Sequence, residues 1–285
     1  MRNHQQPRIF RTILLLLFVL VCIFGASILL TEPRSDRDWL PEYSRTVTAE
    51  IGKDAVTIHN VRDWTYNETE PISKEWLTME VDPKDIVGVW FIHEPFPGRP
   101  IFGHTALSFE FNDGSAISFS IEARKETNEK YSPVAGLVNE YELAYMWGTE
   151  RDFIGLVAVR LDRPIHFYPL SMSPDDAQAI FLAFLEETNT LAQTPRFYNS
   201  FSTNCTNTLA HIINEYYPDS LPYDISWTLT GLSDAYLMRN GFIPASSSLE
   251  ATRARYDLAH HKRAIAEMAT SSPEVFSSSI RALIK

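Results

Sequence analysis

The stretch that decides the fold reads GHTALSFEFNDGSAISFSIEA and covers residues 103–123. Two runs that alternate between apolar and polar residues flank the turn sequence NDG at 112–114, a pattern typical of a β-hairpin. If the glycine of this turn takes the left-handed position of a three-residue turn, Leu107 lies opposite Phe119 and the apolar faces match. A two-residue turn would instead place Leu107 opposite Ser120 and bury polar groups. We therefore predict the three-residue turn.

The predicted register places one histidine opposite one carboxylate. His104 falls opposite Glu122 on the polar face of the hairpin, where opposed Cβ atoms lie about 4.5–5.5 Å apart. A carboxylate at that distance can hydrogen-bond one imidazole nitrogen, fix the tautomer and stabilise the imidazolium. The alternative is an ordinary cross-strand charge pair on a solvated face, which contributes little to stability.

A single cysteine follows the N-terminal region of the chain. Cys205 has no partner for an internal disulfide, so it is either an inert buried thiol or one kept for chemistry. It lies where a polar loop runs into a helix, with Thr203 and Asn204 as candidate N-caps. Unpaired N–H groups in a first helical turn lower a thiol pKa and can hold a developing oxyanion. Polar neighbours on both sides favour the reactive interpretation.

The N-terminal residues predict a location outside the cytoplasm. The apolar run at 13–30 has the length of a transmembrane anchor, and the basic tail at 1–12 should then stay cytoplasmic. We therefore expect a single-pass inner-membrane protein whose remaining chain lies in the periplasm. A cleaved signal peptide is the alternative, and it also places the domain outside the cytoplasmic membrane.

Composition and spacing exclude several kinds of partner. The 285-residue chain carries a net charge of −11, which disfavours nucleic acid because phosphate binding needs a basic footprint. No spacing of histidines, cysteines or paired acids supports a metal site, and we expect no cofactor. The sequence does not determine the oligomeric state.

The remaining patterns indicate an α+β fold with an antiparallel sheet, because strands come first and helices later. Predicted strands cover 56–66, 86–93, 101–111, 116–123, 154–161 and 165–170, and predicted helices cover 173–190, 204–217 and 233–240. We expect a tether at 31–54, a catalytic domain at 55–245 and a helical C-terminal extension at 246–285.

Six short motifs in a fixed order resemble a known family. They are VRDWTY (61–66), FGHT (102–105), SIEARKE (120–126), YEL (141–143), PRFYN (195–199) and NCT (204–206). Together they resemble the periplasmic domain at the N-terminus of Lnb, a bacterial lipoprotein N-acyltransferase, over roughly residues 55–245. That family is similar to NlpC-type and lecithin-retinol-acyltransferase-type cysteine enzymes, so the resemblance implies a permuted papain-like core. Lnb carries a membrane part after this domain, whereas this chain has only a short tail there.

The resemblance also implies roles for individual residues. It implies Cys205 as nucleophile, His104 as base and an acidic or polar third residue, for which Glu122 fits the predicted register. Candidate oxyanion or supporting residues are Asn204, Tyr198 and Arg124.

Three functions fit these expectations. The first is acyl transfer through a thioester on the cysteine, with a phospholipid or lipoprotein substrate at the membrane. The second is a cysteine peptidase or amidase of the cell envelope, which would use the same residues. The third is a non-catalytic envelope scaffold with a structural thiol. An apolar groove beside the cysteine would favour the lipid substrate, and an open polar cleft would favour a peptide.

Overall fold

The structure, a computed structural model, describes residues 6–284. Eight strands form one sheet: β1 (Thr48–Ile51), β2 (Val56–Tyr66), β3 (Pro71–Val81), β4 (Ile86–Pro95), β5 (Gly103–Phe111), β6 (Ala116–Arg124), β7 (Glu142–Gly148) and β8 (His166–Pro169). The helices are α1 (Gln6–Leu30), α2 (Glu150–Gly155), α3 (Pro174–Gln193), α4 (Cys205–Tyr216), α5 (Ser233–Arg239), α6 (Leu249–Arg255), α7 (Lys262–Met268) and α8 (Pro273–Ile280).

The sheet is mixed, within an α+β fold. Its strands run in the order β1-β2-β7-β6-β5-β4-β8, and β3 pairs with the other edge of β2. Every pairing is antiparallel except β2 with β7, which is parallel at Arg62 and Gly148. The α+β class is therefore confirmed and the wholly antiparallel sheet is wrong. No local pattern fixes the relative direction of two strands so distant in the chain.

The hairpin β5–β6 has the predicted three-residue register. Leu107 pairs with Phe119, and Gly114 takes the left-handed conformation with φ of 84°. The apolar face of this hairpin packs on helix α3, where the rings of Phe119 and Phe184 stack with centroids 4.5 Å apart. This packing fixes the register, because a slip by one residue would move the apolar side chains out of the core.

The predicted transmembrane anchor at residues 13–30 is wrong. Its residues do form a helix, as part of α1, but no helix within the described residues 6–284 is both long and apolar enough to cross a membrane. An apolar run is enough to predict a helix, but a membrane span also requires sufficient length and hydropathy over the whole helix. Residues 1–5 of the predicted basic tail lie outside the described part of the chain.

The segment predicted as a strand at 154–161 is helical. Helix α2 is capped by Thr149, whose hydroxyl accepts from the Asp152 amide, and it continues into a π-helical turn at Leu156–Arg160. A short continuous apolar run cannot by itself distinguish a buried strand from a buried helix. Here the capping residue and the acidic first turn decide for the helix.

Residues expected to form a tether pack against the sheet instead. Trp39 and Tyr43 are buried, and β1 pairs with β2. Arg37 contacts Glu142 with an N–O distance of 2.9 Å. The segment at 31–54 therefore adds an edge strand and buried aromatic side chains to the folded body.

Three predicted helices appear close to their expected bounds. Ser173 caps α3, Asn204 caps α4, and Gly241 follows α5 with φ of 74°. The C-terminal extension is helical as predicted, and Phe276 of α8 is fully buried.

Candidate active site

The N-terminal end of β5 carries the candidate base. The Nε2 atom of His104 lies 3.0 Å from Oε1 of Glu122 and 2.7 Å from the hydroxyl of Ser120. That hydroxyl donates to the same carboxylate oxygen at 2.7 Å. The hairpin register thus brings together the histidine and the carboxylate that the sequence paired. Ser120, to which the sequence analysis assigned no role at the site, contacts both.

The candidate nucleophile begins helix α4. Cys205 is the first residue of the helix and is 4% exposed. Its N-cap, Asn204, accepts from the amide of Asn207 at 2.9 Å through Oδ1. The Asn204 amide donates to the carbonyls of Trp227, at 2.9 Å, and Ser200, at 3.2 Å. Asn204 therefore fixes the start of the helix to two loops and holds the cysteine in place.

Two backbone amides in the first turn of α4 are not used by the N-cap residue. The amides of Asn207 and Thr208 donate to the side chain and the carbonyl of Asn204. The remaining amides are those of Cys205 and Thr206. They lie at the positive end of the helix, where a developing negative charge is stabilised.

The thiol and the imidazole shift each other's pKa. Burial raises the pKa of Cys205, but the hydrogen bond with His104 and its positive charge outweigh burial, so the thiol pKa lies below its ordinary value. Burial lowers the pKa of His104, but the charge of Glu122 and the hydrogen bond with Cys205 raise it well above its ordinary value. Because Nε2 faces Glu122, Nδ1 is the ring nitrogen left for the thiol. The arrangement favours a thiolate–imidazolium pair.

The carboxylate of this group stays ionised. Burial raises the pKa of Glu122, but the charge of His104 and hydrogen bonds from His104 and Ser120 outweigh it and lower the pKa to about 2. A permanently charged carboxylate can hold the imidazole in one tautomer and stabilise its protonated form.

Thr105 is a site residue that sequence reasoning missed. It is fully buried, and its hydroxyl lies 3.0 Å from the hydroxyl of Thr206. Hydrogen bonds from its side chain and backbone also lower the pKa of Cys205, after the larger effect of His104. The only sequence signal was its position directly after the candidate base in a strand.

Tyr198 lies in the same cavity as the thiol. Its ring is buried, and its hydroxyl is 3.3 Å from that of Tyr131. Burial, followed by the nearby negative charge of Cys205, raises the tyrosine pKa. Tyr198 therefore stays protonated and keeps a hydroxyl donor at the site.

The structure places Arg124 away from the thiol. Its guanidinium donates to the carbonyl of Tyr43 at 2.8 and 3.1 Å and lies 4.2 Å from the ring centroid of Trp39. Arg124 ends β6 two residues beyond Glu122, about 7 Å farther along the strand at the usual rise. Its side chain turns to the N-terminal segment, so its contacts are structural.

Two cavities flank the start of α4. One of about 700 Å³ contains Cys205, His104 and Glu122, and its walls combine apolar side chains with the ion pair of Glu94 and Arg163. A second cavity of about 270 Å³ is lined mainly by apolar groups and includes the next residue, Thr206. The cysteine therefore lies in a cavity with both polar and apolar walls, and the residue that follows it lines a second, apolar cavity.

A second polar cluster lies apart from this site. His93 and His166 pair across β4 and β8, and their candidate ligand atoms lie within 4.8 Å of those of Asp234. Both oxygens of Asp234, however, accept from Arg253, at 2.6 and 2.9 Å. Burial and the charge of His93 lower the pKa of His166 to about 4. The carboxylate that these two buried histidines approach is therefore already engaged by an arginine.

The family model of the Lnb N-terminal periplasmic domain matches residues 73–230, more than half of the chain. The chain belongs to this family. The matched range contains β5, β6 and the start of α4, and with them His104, Glu122 and Cys205. Membership in the Lnb family supports a periplasmic domain. A search of the curated proteins and of the solved structures finds no match, and the permuted papain-like core that the resemblance implied is not confirmed.

Proposed function

We propose that this Lnb-family domain is a thiol enzyme that transfers an acyl group through a thioester on Cys205. The observation that carries the proposal is the 3.0 Å contact of His104 Nε2 with the Glu122 carboxylate, in the same cavity as a helix-start cysteine whose pKa His104 lowers. A cysteine, a base and a group that orients the base form the usual set for nucleophilic catalysis.

In the first half-reaction, the Cys205 thiolate attacks the carbonyl carbon of an ester. The resulting oxyanion is held by the first-turn amides of Cys205 and Thr206. The imidazolium of His104 then gives its proton to the leaving alkoxide, which departs as an alcohol, and the acyl group remains as a thioester. The mechanism needs no cofactor.

In the second half-reaction, an amine or water attacks the thioester. His104, now neutral, takes a proton from the attacking group, and the thiolate leaves. The charge of Glu122 stabilises the imidazolium that forms in this step. Ser120 acts as a positioning residue, because its hydroxyl contacts both His104 and Glu122.

An acyl chain from a phospholipid or a lipoprotein is the substrate that we propose. The apolar cavity of about 270 Å³ supports this class, because its lining includes Thr206, whose hydroxyl is 4.0 Å from the sulfur of Cys205. Apolar volume next to a nucleophile favours an acyl chain over a charged peptide.

A second candidate function is a peptidase or amidase of the cell envelope. It is favoured by the charged groups that line the larger cavity, among them the Glu94–Arg163 pair, with an N–O distance of 2.8 Å. Such groups can bind the termini or charged side chains of a peptide. The chemistry at Cys205 would be the same, with an amide in place of the ester.

The proposal is tested by intact-mass measurement of the full chain after mixing with phospholipid or with a diacylated lipopeptide. A hydroxylamine-labile acyl adduct on Cys205 that is absent in His104→Ala supports acyl transfer. If no adduct forms while Cys205 still reacts with iodoacetamide, the peptidase or amidase is favoured. A Cys205 that resists alkylation in the folded protein would contradict both enzymatic functions.

A further inference from the structure

Six large apolar side chains project into solvent from loops near the candidate site. Each is between 45% and 72% exposed, and they are Ile101, Val134, Leu137, Phe201, Tyr223 and Ile225. We call this set the apolar rim. Exposed apolar side chains that cluster on a protein surface often mark an interaction site.

Backbone contacts join the rim loops to one another. The amide of Ser200 donates to the carbonyl of Gly136 at 3.0 Å, which links the loops that carry Phe201, Val134 and Leu137. The amide of Gly231 donates to the carbonyl of Ile101 at 3.1 Å. Each of these bonds ties one rim loop to a neighbouring loop.

The same loops are tied to the residues that precede the base and the nucleophile. Asn204 donates to the carbonyl of Trp227, and the ring of Trp227 lies 5.5 Å from that of Tyr223. On the other side, the amide of Gly103 donates to the hydroxyl of Thr230 at 3.0 Å. The apolar rim therefore borders the end of the fold at which His104 and Cys205 lie.

The charge of the rim differs from that of the whole chain. Residues 131–138 and 199–203 contain no charged side chain, although the chain carries a net charge of −11. Arg99 precedes Ile101, and Lys130 and Glu140 flank the loop of Val134 and Leu137. Asp224, between Tyr223 and Ile225, pairs with Arg239 at 3.1 Å, so the rim as a whole is close to neutral. A surface of this kind can approach an anionic lipid headgroup layer without the repulsion that the rest of the acidic protein would meet.

We propose that the apolar rim docks on the surface of a lipid bilayer. Exposed aromatic and aliphatic side chains on loops insert at the boundary between headgroups and acyl chains, where tyrosine is also favoured. Docking there turns the mouth of the larger cavity toward the bilayer, so that an acyl ester can reach Cys205. This purpose rests on the proposed function, but the docking itself does not require catalysis.

The docking test uses two matched single-cysteine variants of the full chain, Val134→Cys and Val87→Cys, each with Cys22→Ser and Cys205→Ser. Both positions are exposed valines, at 72% and 55%. Val87 lies near the start of β4, about 26 Å along the strand from Pro95, which pairs with Gly103 at the site end. Each variant is labelled with an environment-sensitive dye and mixed with phosphatidylethanolamine–phosphatidylglycerol vesicles that contain a nitroxide lipid quencher.

The expected result is quenching and a blue shift at position 134, with little change at position 87. Because the readout is local to the dye, contact between lipid and another part of the chain does not produce it. Equal quenching at both positions, or none at position 134, overturns the proposal. The docking result does not depend on the proposed acyl transfer, because both variants lack Cys205.

A second experiment separates docking from chemistry. Phe201→Ser is expected to slow acylation by vesicle-borne phospholipid about tenfold, because one inserted aromatic side chain is lost, and to leave acylation by a soluble short-chain ester unchanged. Ile72→Ser, an equally exposed position on β3, is the control and is expected to change neither rate. Equal loss on both substrates in Phe201→Ser, or equal loss in the two variants, contradicts bilayer docking.

Discussion

Nε2 of His104 lies 3.0 Å from Oε1 of Glu122, and the Ser120 hydroxyl bridges the two residues. Two contacts thus hold the same ring nitrogen of the imidazole. The ring cannot turn without losing both, so Nδ1 stays directed away from the carboxylate.

Cys205 should be alkylated by iodoacetamide with a midpoint below the ordinary thiol pKa of about 8.5. Only the thiolate reacts, and the lowered pKa of Cys205 keeps the thiolate present at lower pH. The measurement is the alkylation rate against pH in Cys22→Ser, where Cys205 is the remaining cysteine. His104→Ala should move the midpoint upward, because it removes the largest effect that lowers the thiol pKa; an unmoved midpoint would contradict the pairing.

Glu122→Gln should lower the pKa of His104, because it removes the charge that most strongly raises it. The thiolate–imidazolium pair then breaks at lower pH, and the alkaline limb of the acylation profile moves down. The acylation rate at neutral pH should fall by about 10² or more. Glu126→Gln is the control, since Glu126 pairs with Arg37 and not with the base. A profile of Glu122→Gln that matches the control would exclude Glu122 from orienting His104.

The Glu122 carboxylate should also make the free energy of unfolding depend on pH in the acidic range. Its pKa is lowered on folding from its ordinary 4.5 to about 2, so its stabilisation is present above about pH 4.5 and is lost as the pH falls toward 2. The free energy of unfolding, measured with urea across this range, should fall more steeply in the wild-type chain than in Glu122→Gln. Parallel slopes would show that the carboxylate is not held as the structure has it.

Asn204→Ala and Ser173→Ala each remove the N-cap of a helix. Each should reduce the free energy of unfolding by about 1 kcal/mol, and Asn204→Ala by more, because its amide also donates to Trp227. Only Asn204→Ala should raise the alkylation midpoint of Cys205, since it alone disturbs the helix end beside the thiol. An equal midpoint in both variants would mean that the cap is structural only.

Arg124→Met tests the role of Arg124 in holding the N-terminal segment. Loss of the two bonds to the Tyr43 carbonyl should reduce the free energy of unfolding by about 2 kcal/mol. The alkylation midpoint of Cys205 should not move, because the guanidinium contacts the N-terminal segment. A shifted midpoint at unchanged stability would return Arg124 to the active site.

The parts of the site that could be predicted from sequence are those set by local rules. Matching apolar faces fixed the register of β5 and β6, and that register alone brought His104 to Glu122. Helix capping placed Cys205 in a first turn. Both rules act over a few residues, where side-chain period and backbone bonding leave few alternatives.

The residues that could not be predicted depend on contacts between distant segments. Thr105 meets Thr206 only after α4 docks on β5, and His93 meets His166 only because β8 pairs with β4. The sequence of either partner alone carries no such signal. The contacts of Arg124 could not be predicted for a related reason, since its partner Tyr43 lies in a segment expected to be a tether.

The order in which the site can assemble follows from where its parts lie along the chain. His104 and Ser120 are 16 residues apart on one hairpin, whereas Gly103 and Cys205, which also meet in the fold, are 102 apart. Local contacts form early and distant ones late. The cysteine therefore keeps the reactivity of an ordinary thiol until helix α4 packs against β5. Under the proposed function, the thiol of a newly made chain becomes an activated nucleophile only when the chain folds.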